Sequence, residues 1–385
     1  MTSLVLISAS QVPSTAANSI QVMKVCQAFT QLGCHVHLLV PGAAPVPWES
    51  LADHYGLQAR FELEWLPVHP GLHRYDFSLN AVRRARALKA DAVYVWPLQA
   101  ALAALIQRMP VLLELHAPPE GRLGPALFRW FCKLKGKKRL LPITEALVHI
   151  LERSYPHAFD PEQVVVSPDG VDLERYRDLP DAATARRQLG FSECLTAGYT
   201  GHLYPGRGLS LLLELAQNFP AVQFLWIGGR SEHVTEWRQR LADEKIANVH
   251  LTGFVENSRL GLYQAAADVL LMPYERVITG SSGGNTADFC SPMKMFEYMA
   301  CGRAILSSDL PVLREVLNES NAVLCPPEDV RAWTSALKGL LEDQGLRSRL
   351  ASQAREDVQA YSWIERAKKS LAGFLPTPEA ESKNG

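Results

Sequence analysis

The sequence predicts an α/β protein of two doubly wound domains, each a parallel sheet with helices on both faces, with a cleft between them. Three observations carry that prediction. The chain has 385 residues, enough for about two domains at roughly 100–200 residues each. Short apolar runs alternate with helix-like segments along its length, the pattern of parallel strands joined by helical crossovers. The pattern restarts near residue 190, after a polar, turn-rich stretch.

In the first half the predicted strands are LVLIS (4–8), HVHLLV (35–40), AVYVW (92–96), VLLELH (111–116), LLPIT (140–144) and VVVS (164–167). The segment 19–33 predicts a helix: Ile20, Met23, Cys26, Ala28 and Leu32 approximate a stripe, with Ser19 or Asn18 as N-cap and Gly33 as stop. The stretch SPDGVDLERYRDLPDAATARR (167–187) marks the junction. The second-half strands are TAGYT (196–200), VQFLWIG (222–228), VHLTG (249–253), DVLLMP (268–273), RAILSS (303–308) and AVLCP (322–326). The domains are therefore placed at 1–170 and 191–360, with a linker at 171–190. A helix at 361–375 is expected to return to the first domain, and the polar tail at 376–385 to be disordered. In such sheets ligands bind beyond the carboxyl ends of the strands.

Hydrophobic content of 47% and charged content of 21% are ordinary for a globular protein. With 39 basic and 40 acidic residues the net charge is −1. That balance argues against a dedicated nucleic-acid binder, which needs a basic excess. The seven cysteines are odd in number and scattered, with no Cys-x-x-Cys. Neither a disulfide framework nor a zinc site is suggested, and a reducing cytoplasm is the natural setting. The start, MTSLVLISASQ, lacks a basic n-region and reads as a strand instead of a signal peptide. No run approaches the roughly 18 apolar residues of a membrane span.

The glycines exclude one class and leave another open. A nicotinamide-binding domain needs Gly-x-Gly-x-x-Gly after its first strand, and here the first glycine is Gly33. In the second domain GYTGHLYPGRG (198–208) lies between a strand and a helix, but Leu211 stands where a third glycine would be. It is not a Walker A loop either. It offers a pliable turn with His202 and Arg207 aimed at a helix N-terminus, which suits an anion. Arg207 is able to grip phosphate bidentately. The alternative is a plain strand–helix turn with a solvated arginine. SSGGNTADFC (281–290) reads either as an active-site loop or as an ordinary surface loop.

The segment SPMKMFEYMACG (291–302) predicts a bracketed helix, with Ser291 as N-cap, Pro292 at N1 and Gly302 as the C′ stop. Lys294 falls in the first turn, where a cation opposes the dipole unless a phosphate joins it. Glu297 lies three residues on, on the same face. A carboxylate in an apolar helix costs free energy unless it is hydrogen-bonded, and a sugar diol would do this. The alternative is a solvent-facing Lys–Glu pair.

Together GYTGHLYPGRG, IGGRSE, NVHLTGFV, LGLYQAAADVLLMPY and SPMKMFEYMACGRAILSSDLPVLREVL resemble, in order and spacing, the family 4 glycosyltransferases of GT-B fold, which have two Rossmann-like domains. NSIQVMKVCQAFTQLGCHVHLLVPG, VLLELHA, ITEAL and VSPDGVDLERY resemble the family more loosely, so the likeness covers roughly residues 1–370. It implies a retaining, metal-independent hexosyltransferase that uses a nucleotide-diphosphate sugar. The donor would sit on the C-terminal domain and the acceptor mainly on the N-terminal one. Arg207 falls at the family's diphosphate-binding Lys and His202 at a usual Arg. Glu297 matches the second Glu of the Glu-x7-Glu motif, which binds the ribose hydroxyls. The first Glu aligns with Phe289, and the neighbouring Asp288 is the candidate replacement. Ser291 and Pro292 fall where loop amides meet donor sugar and phosphate, and His116 matches the active-site His.

The resemblance thus implies a catalytic set of His116, Arg207 and Lys294. The implied donor-binding set is His202, Arg207, Asp288, Ser291, Pro292, Lys294 and Glu297. Departure of a nucleoside diphosphate builds negative charge, which Arg207, Lys294 and helix N-termini would stabilise. The chain has no Asp-x-Asp, and no metal or cofactor is expected beyond the donor itself. In the family's retaining reaction the acceptor attacks from the face that the leaving group vacates, with the departing phosphate as base.

FRWFCKLKGKKR (128–139) mixes aromatics with Arg129, Lys133, Lys135, Lys137, Lys138 and Arg139. It suits an anionic membrane surface, as a transferase with a lipid-linked acceptor would need, or is a solvated helix end. The expected partners are a nucleotide sugar and a glycan, lipid-linked or small-molecule acceptor. No nucleic acid is expected. The expected place is the cytoplasm, with peripheral attachment to the inner membrane face as a second option. A sugar-nucleotide epimerase or hydrolase of GT-B fold, and a non-catalytic sugar-nucleotide-binding subunit, are the competing readings.

Overall fold

A computed structural model describes residues 1–42, 45–72, 75–278 and 285–375. Residues 281–284 of the glycine-rich loop and the tail at 376–385 lie outside the described residues. The chain divides into two units. Unit 1 is Met1–Asp169 together with the chain from Trp363, and unit 2 is Gly170–Ser362.

Unit 1 holds the strands β1 (Ser3–Ile7), β2 (His35–Pro41), β3 (Glu62–Leu66), β4 (Ala92–Val95), β5 (Val111–Leu115) and β6 (Lys138–Pro142). Its helices are α1 (Ala17–Gln31), α2 (Trp48–Tyr55), α3 (Tyr75–Ala87), α4 (Leu98–Ile106), α5 (Gly124–Lys133) and α6 (Glu145–Ser154). The described strands form one sheet in the order β3-β2-β1-β4-β5-β6, parallel at every pairing. Leu4 of β1 stands opposite Val36 of β2 and Ala92 of β4. The winding reverses between β1 and β4, and that switch point opens a ligand crevice at the strands' carboxyl ends.

One strand was not among those predicted, and two sequence expectations need correction. The edge strand β3, ELEWL, is not apolar, because two glutamates alternate with its leucines and it is at most half-buried; charge on an edge strand discourages pairing with another chain. The segment 164–167 is not a strand. Val165 N donates to Leu140 O at 2.9 Å, but Pro142 of β6 has no N–H to return the bond, and one isolated bridge, Leu140 to Val164, is what forms. Helix α1 begins earlier than expected, with Ala16 at the cap and no side-chain cap. The Ser19 hydroxyl donates instead to Gln11 O at 2.8 Å.

Unit 2 holds β7 (Thr196–Thr200), β8 (Gln223–Ile227), β9 (Val249–Gly253), β10 (Val269–Met272), β11 (Ala304–Ser308) and β12 (Val323–Cys325). Its helices are α7 (Ala182–Leu189), α8 (Leu209–Asn218), α9 (Ser231–Asp243), α10 (Asn257–Ala265), α11 (Met293–Cys301), α12 (Val330–Glu342) and α13 (Gln344–Asp357). The order β12-β11-β10-β7-β8-β9 repeats the winding of unit 1, so the switch point falls between β7 and β10. Phe224 and Trp226 of β8 pack with Trp237 of α9 and Trp333 of α12 in the core. Residues 171–190 carry α7 and fold as part of unit 2. There the Arg186 guanidinium donates to Ala266 O and Asp268 Oδ2, each at 2.8 Å.

Helix α14 (Trp363–Leu371) follows and packs on α1 in unit 1. Trp363, Arg366, Ala367, Ser370 and Leu371 are its buried residues.

Candidate active site

At the switch point of unit 2 the chain leaves β7 at Thr200 and β10 at Met272, and both exits are crowded. A Cβ on Gly208 (φ +70) would lie 1.8 Å from Pro273 O, so only glycine fits there. A Cβ on Gly201 would lie 2.7 Å from Lys294 Nζ, which brings the β7 exit loop against the first turn of α11.

The cations meet over aromatic rings. Lys294 Nζ lies 4.3 Å from the Tyr199 ring centre and 5.3 Å from that of Tyr274. The Arg207 guanidinium carbon lies 5.1 Å from the Tyr204 ring and 5.2 Å from the Tyr274 ring. Tyr274 thus holds both cations by its π face, at about 0.5–2 kcal/mol each. Arg207 Nη2 also donates to Tyr204 Oη at 3.0 Å. Its Nε is buried with no hydrogen-bond partner among the described residues. The His202 ring stacks on Tyr204 with centroids 5.0 Å apart.

The electrostatics show how concentrated this charge is. Burial first, and the Arg207 charge second, hold the Lys294 ammonium well below its usual range. Burial, then Arg207 and Lys294, push the His202 imidazole down to about 4. The resemblance's diphosphate set of His202, Arg207 and Lys294 is therefore brought together. The tyrosines that hold it, Tyr199, Tyr204 and Tyr274, lie within the quoted motif stretches, but no role was read for them from the sequence.

One expected anion contact is already filled by the protein. Glu275, just beyond β10, accepts from Gly206 N at 3.2 Å and from Gly208 N at 3.1 Å. Those loop amides hold a carboxylate, and the clamp fixes Arg207 from both sides. Nothing in the sequence pattern pointed to it, because Glu275 sits in no recognisable spacing.

In α11 the cap is Pro292, one residue later than expected, and no side-chain cap bond forms. Pro292 lacks an N–H and takes an extended conformation (ψ 120) that lets its carbonyl open the helix. Its C-cap, Gly302, is left-handed with φ 66. Glu297 Oε2 accepts from Gln264 Nε2 at 3.1 Å, and Gln264 Oε1 accepts from Tyr176 Oη at 2.9 Å. A polar chain from α10 thus orients the Glu297 carboxylate. Tyr298 Oη accepts from Thr200 N at 2.8 Å, which pins α11 to the end of β7. Ser291 is buried, whereas Asp288 is exposed. Phe289 is 8% exposed, so the position aligned with the first Glu of the motif holds a core side chain.

His116 belongs to unit 1 and follows β5 directly. Its side chain is 36% exposed, and Nε2 donates to Glu114 Oε1 at 2.5 Å. Nearby, at the end of β4, Trp96 Nε1 is buried with no partner among the described residues.

The basic cluster at 128–139 is partly spent on structure. Lys138 Nζ donates to the carbonyls of Phe131, Cys132 and Leu134 and so ends α5. Arg139 Nη1 donates to Ser370 O and Ala372 O, each at 2.8 Å. Arg129 lies over the Tyr155 ring and Lys137 over the Phe374 ring. Lys133 and Lys135 are exposed beside Trp130, itself 49% exposed. No helix among the described residues is long and apolar enough to cross a membrane.

Comparison with known proteins agrees with this layout. The model of Glycosyl transferases group 1 matches residues 195–343, and that of Glycosyltransferase Family 4 matches residues 19–175. A phosphatidyl-myo-inositol mannosyltransferase of Mycolicibacterium smegmatis is 27% identical over 355 residues, 89% of this chain and 85% of that one. A D-inositol 3-phosphate glycosyltransferase of Xylanimonas cellulosilytica is 30% identical over 229 residues, 55% of this chain and 51% of that one. Among solved structures, HepE of Anabaena in complex with UDP-glucose aligns with a TM-score of 0.72 at 17% identity, over 96% of this chain and 98% of that one. Sucrose-phosphate synthase of Thermosynechococcus elongatus aligns at 0.73 and 17%, over the whole of both chains. The two family matches together span more than half of the chain, one on each unit, and the chain belongs to the family 4 glycosyltransferases of GT-B fold.

Proposed function

We propose that this glycosyltransferase binds a nucleotide-diphosphate sugar on unit 2 and transfers the sugar, with retention and without a metal ion, to a polyol or lipid-linked acceptor. The observation that carries the reading is the meeting of Lys294, Arg207 and His202 at the β7–β10 switch point, with the oriented Glu297 carboxylate one helical turn away. Such a cluster suits a diphosphate whose charge grows as the sugar departs. Glu297 suits the ribose diol, and Ser291 and Pro292 suit the donor's sugar–phosphate junction. His116 is the proposed active-site histidine of unit 1. Asp288, exposed one residue before the buried Phe289, is the proposed carboxylate for the donor sugar. Two relatives are named for inositol acceptors, and on that ground inositol phosphates and their lipids head the acceptor trials.

The test runs in two steps. Thermal shifts against UDP-, GDP- and ADP-sugars identify the donor, since a ligand of the native state raises Tm by mass action. Nucleotide release is then measured with and without acceptor. Release that needs acceptor, with the donor's anomeric configuration kept by NMR, is expected. Release without acceptor points to a hydrolase or epimerase, and binding without turnover to a non-catalytic subunit. Loss of turnover in chelator overturns the metal-independent reading.

A peripheral membrane contact through Trp130, Lys133 and Lys135 accompanies the lipid-linked option. Equal recovery in the supernatant with and without anionic liposomes rejects it.

A further inference from the structure

We propose that Glu114 and Arg366 are positioning residues for His116: the Glu114 carboxylate, seated on the Arg366 guanidinium, grips the ring by Nε2 and leaves Nδ1 as the nitrogen offered to bound substrate. The inference rests on the reading of His116 as an active-site residue and goes beyond it.

The geometry begins in the strand period. Residues two apart on a strand share a face, so Glu114 near the end of β5 and His116 just past it stand on the same side. Glu114 is 2% exposed, yet both its oxygens are fully engaged. Oε1 accepts from His116 Nε2 and from Gln21 Nε2 of α1, each at 2.5 Å. Oε2 accepts from the Tyr94 hydroxyl of β4 and pairs with Arg366 Nη2 at 2.9 Å. Arg366 is itself fixed. Its Nη1 donates to Tyr94 Oη at 3.0 Å, its Nε to Pro168 O at 2.8 Å and its Nη2 to Ser167 O at 3.2 Å. No part of this assembly is free to rotate, and the ring it grips is the half-exposed member.

The charge arrangement supports the same role. Burial alone would raise the Glu114 carboxyl, but Arg366 and His116 more than reverse this and bring it down to about 2. The ionised carboxylate in turn outweighs the burial of His116 and raises the ring's pKa. The charged groups facing His116 are Glu114 from β5, Asp169 from the chain after β6 and Arg366 from α14, with Tyr94 of β4 behind them on Glu114 and Arg366. A buried ion pair by itself contributes little net stability. One that ends on a half-exposed histidine beside a strand's carboxyl end has a use that a plain tie between α14 and the sheet lacks.

The test is the full-length variant Glu114→Gln, with the His116 ring signals assigned by comparison with His116→Asn. In the wild type the ring is expected in the Nε2-protonated tautomer when neutral, and to titrate at higher pH than in Glu114→Gln. Acceptor-dependent kcat is expected to fall on the order of 100-fold, with the nucleotide-sugar KM changed less than about twofold. Arg366→Lys, which keeps the charge and loses the fork, is expected to fall between the two. If Glu114→Gln does not fold, the double variant Glu114→Gln/Arg366→Met, which removes both buried charges together, carries the same measurements. An unchanged ring titration or an unchanged kcat in a folded variant overturns the proposal. A fully active His116→Asn overturns instead the assignment of His116 on which it rests.

Discussion

His202 is a neutral imidazole held among cations, and that single state has consequences. Its pKa, pushed down to about 4, lies below the value of about 6.5 for an unfolded histidine. As pH falls from about 6.5 toward 4 the unfolded chain takes up a proton that the ligand-free fold refuses, so stability drops across that window. A diphosphate beside the ring reverses the balance by favouring the imidazolium. Nucleotide-sugar affinity is therefore expected to rise as pH falls from 7 to 5, by less than about tenfold per pH unit. Calorimetric titration checks this in buffers of different ionisation enthalpy, because they report proton uptake directly. His202→Asn should flatten most of the slope; a flat wild-type profile sinks the idea. Lys294 makes the complementary case. It is half-buried beside Arg207 and held below its usual range, so Lys294→Met relieves repulsion and desolvation. Its Tm is expected to stay level or rise while donor affinity falls about 10- to 100-fold, the loss of one charged hydrogen bond.

At the scale of elements, the site is made by two loops and one helix start, and glycine decides where they run. Gly208 gives the β7–α8 loop its close pass over Pro273. Gly208→Ala adds both a clash and a left-handed penalty, and is expected to lower stability by roughly 3 kcal/mol or more in urea unfolding. Glu275 then fixes the same loop through the amides of Gly206 and Gly208. Glu275→Ala is expected to cost about 1–3 kcal/mol of stability for the freed amides. It should also weaken donor binding more than a distant surface variant of equal stability, because Arg207 lies between the two amides. Donor affinity equal to that of such a control means that the clamp is only structural. Much of this was legible. His202, Arg207, Lys294 and Glu297 stood out because each is a charged or titratable side chain at a glycine turn or in an apolar helix. The tyrosines and Glu275 did not, since an aromatic after a strand is ordinary core and one carboxylate in a polar loop is ordinary surface. Their roles arise from neighbours far along the chain, such as Tyr199 against Lys294.

Across the whole molecule, both sheets follow one winding order; alternation of apolar runs with helices was enough to foresee doubly wound parallel sheets, though not the order of their strands. Parallel strands need right-handed crossovers, and few topologies then remain. The strands of unit 2 were placed to within two residues, helped in β7, β8, β10 and β11 by continuous buried runs. The strand β3 escaped notice because an edge strand tolerates charge, and 164–167 misled because β6 offers it a proline. What a one-dimensional reading cannot weigh is α14. It follows unit 2 in sequence yet supplies unit 1 with Trp363, Arg366 and Leu371, all buried. Removing it takes away apolar cover and also leaves Glu114 buried without its cation. A stranded buried charge alone costs about 3–5 kcal/mol, a large part of a typical domain's stability of about 5–15 kcal/mol. A chain ending at Ser362 is therefore expected to lose amide-exchange protection throughout β4 and β5 while β7, β8 and β9 keep theirs. Arg366→Met, which keeps the helix, should lower unit 1 protection by only the ionic part of that cost. Adding Glu114→Gln to it should restore most of the protection, since the two charges then leave together. If β4 and β5 stay protected in the shortened chain, the core of unit 1 is complete without its last helix and Arg366 is bound to it without supporting it.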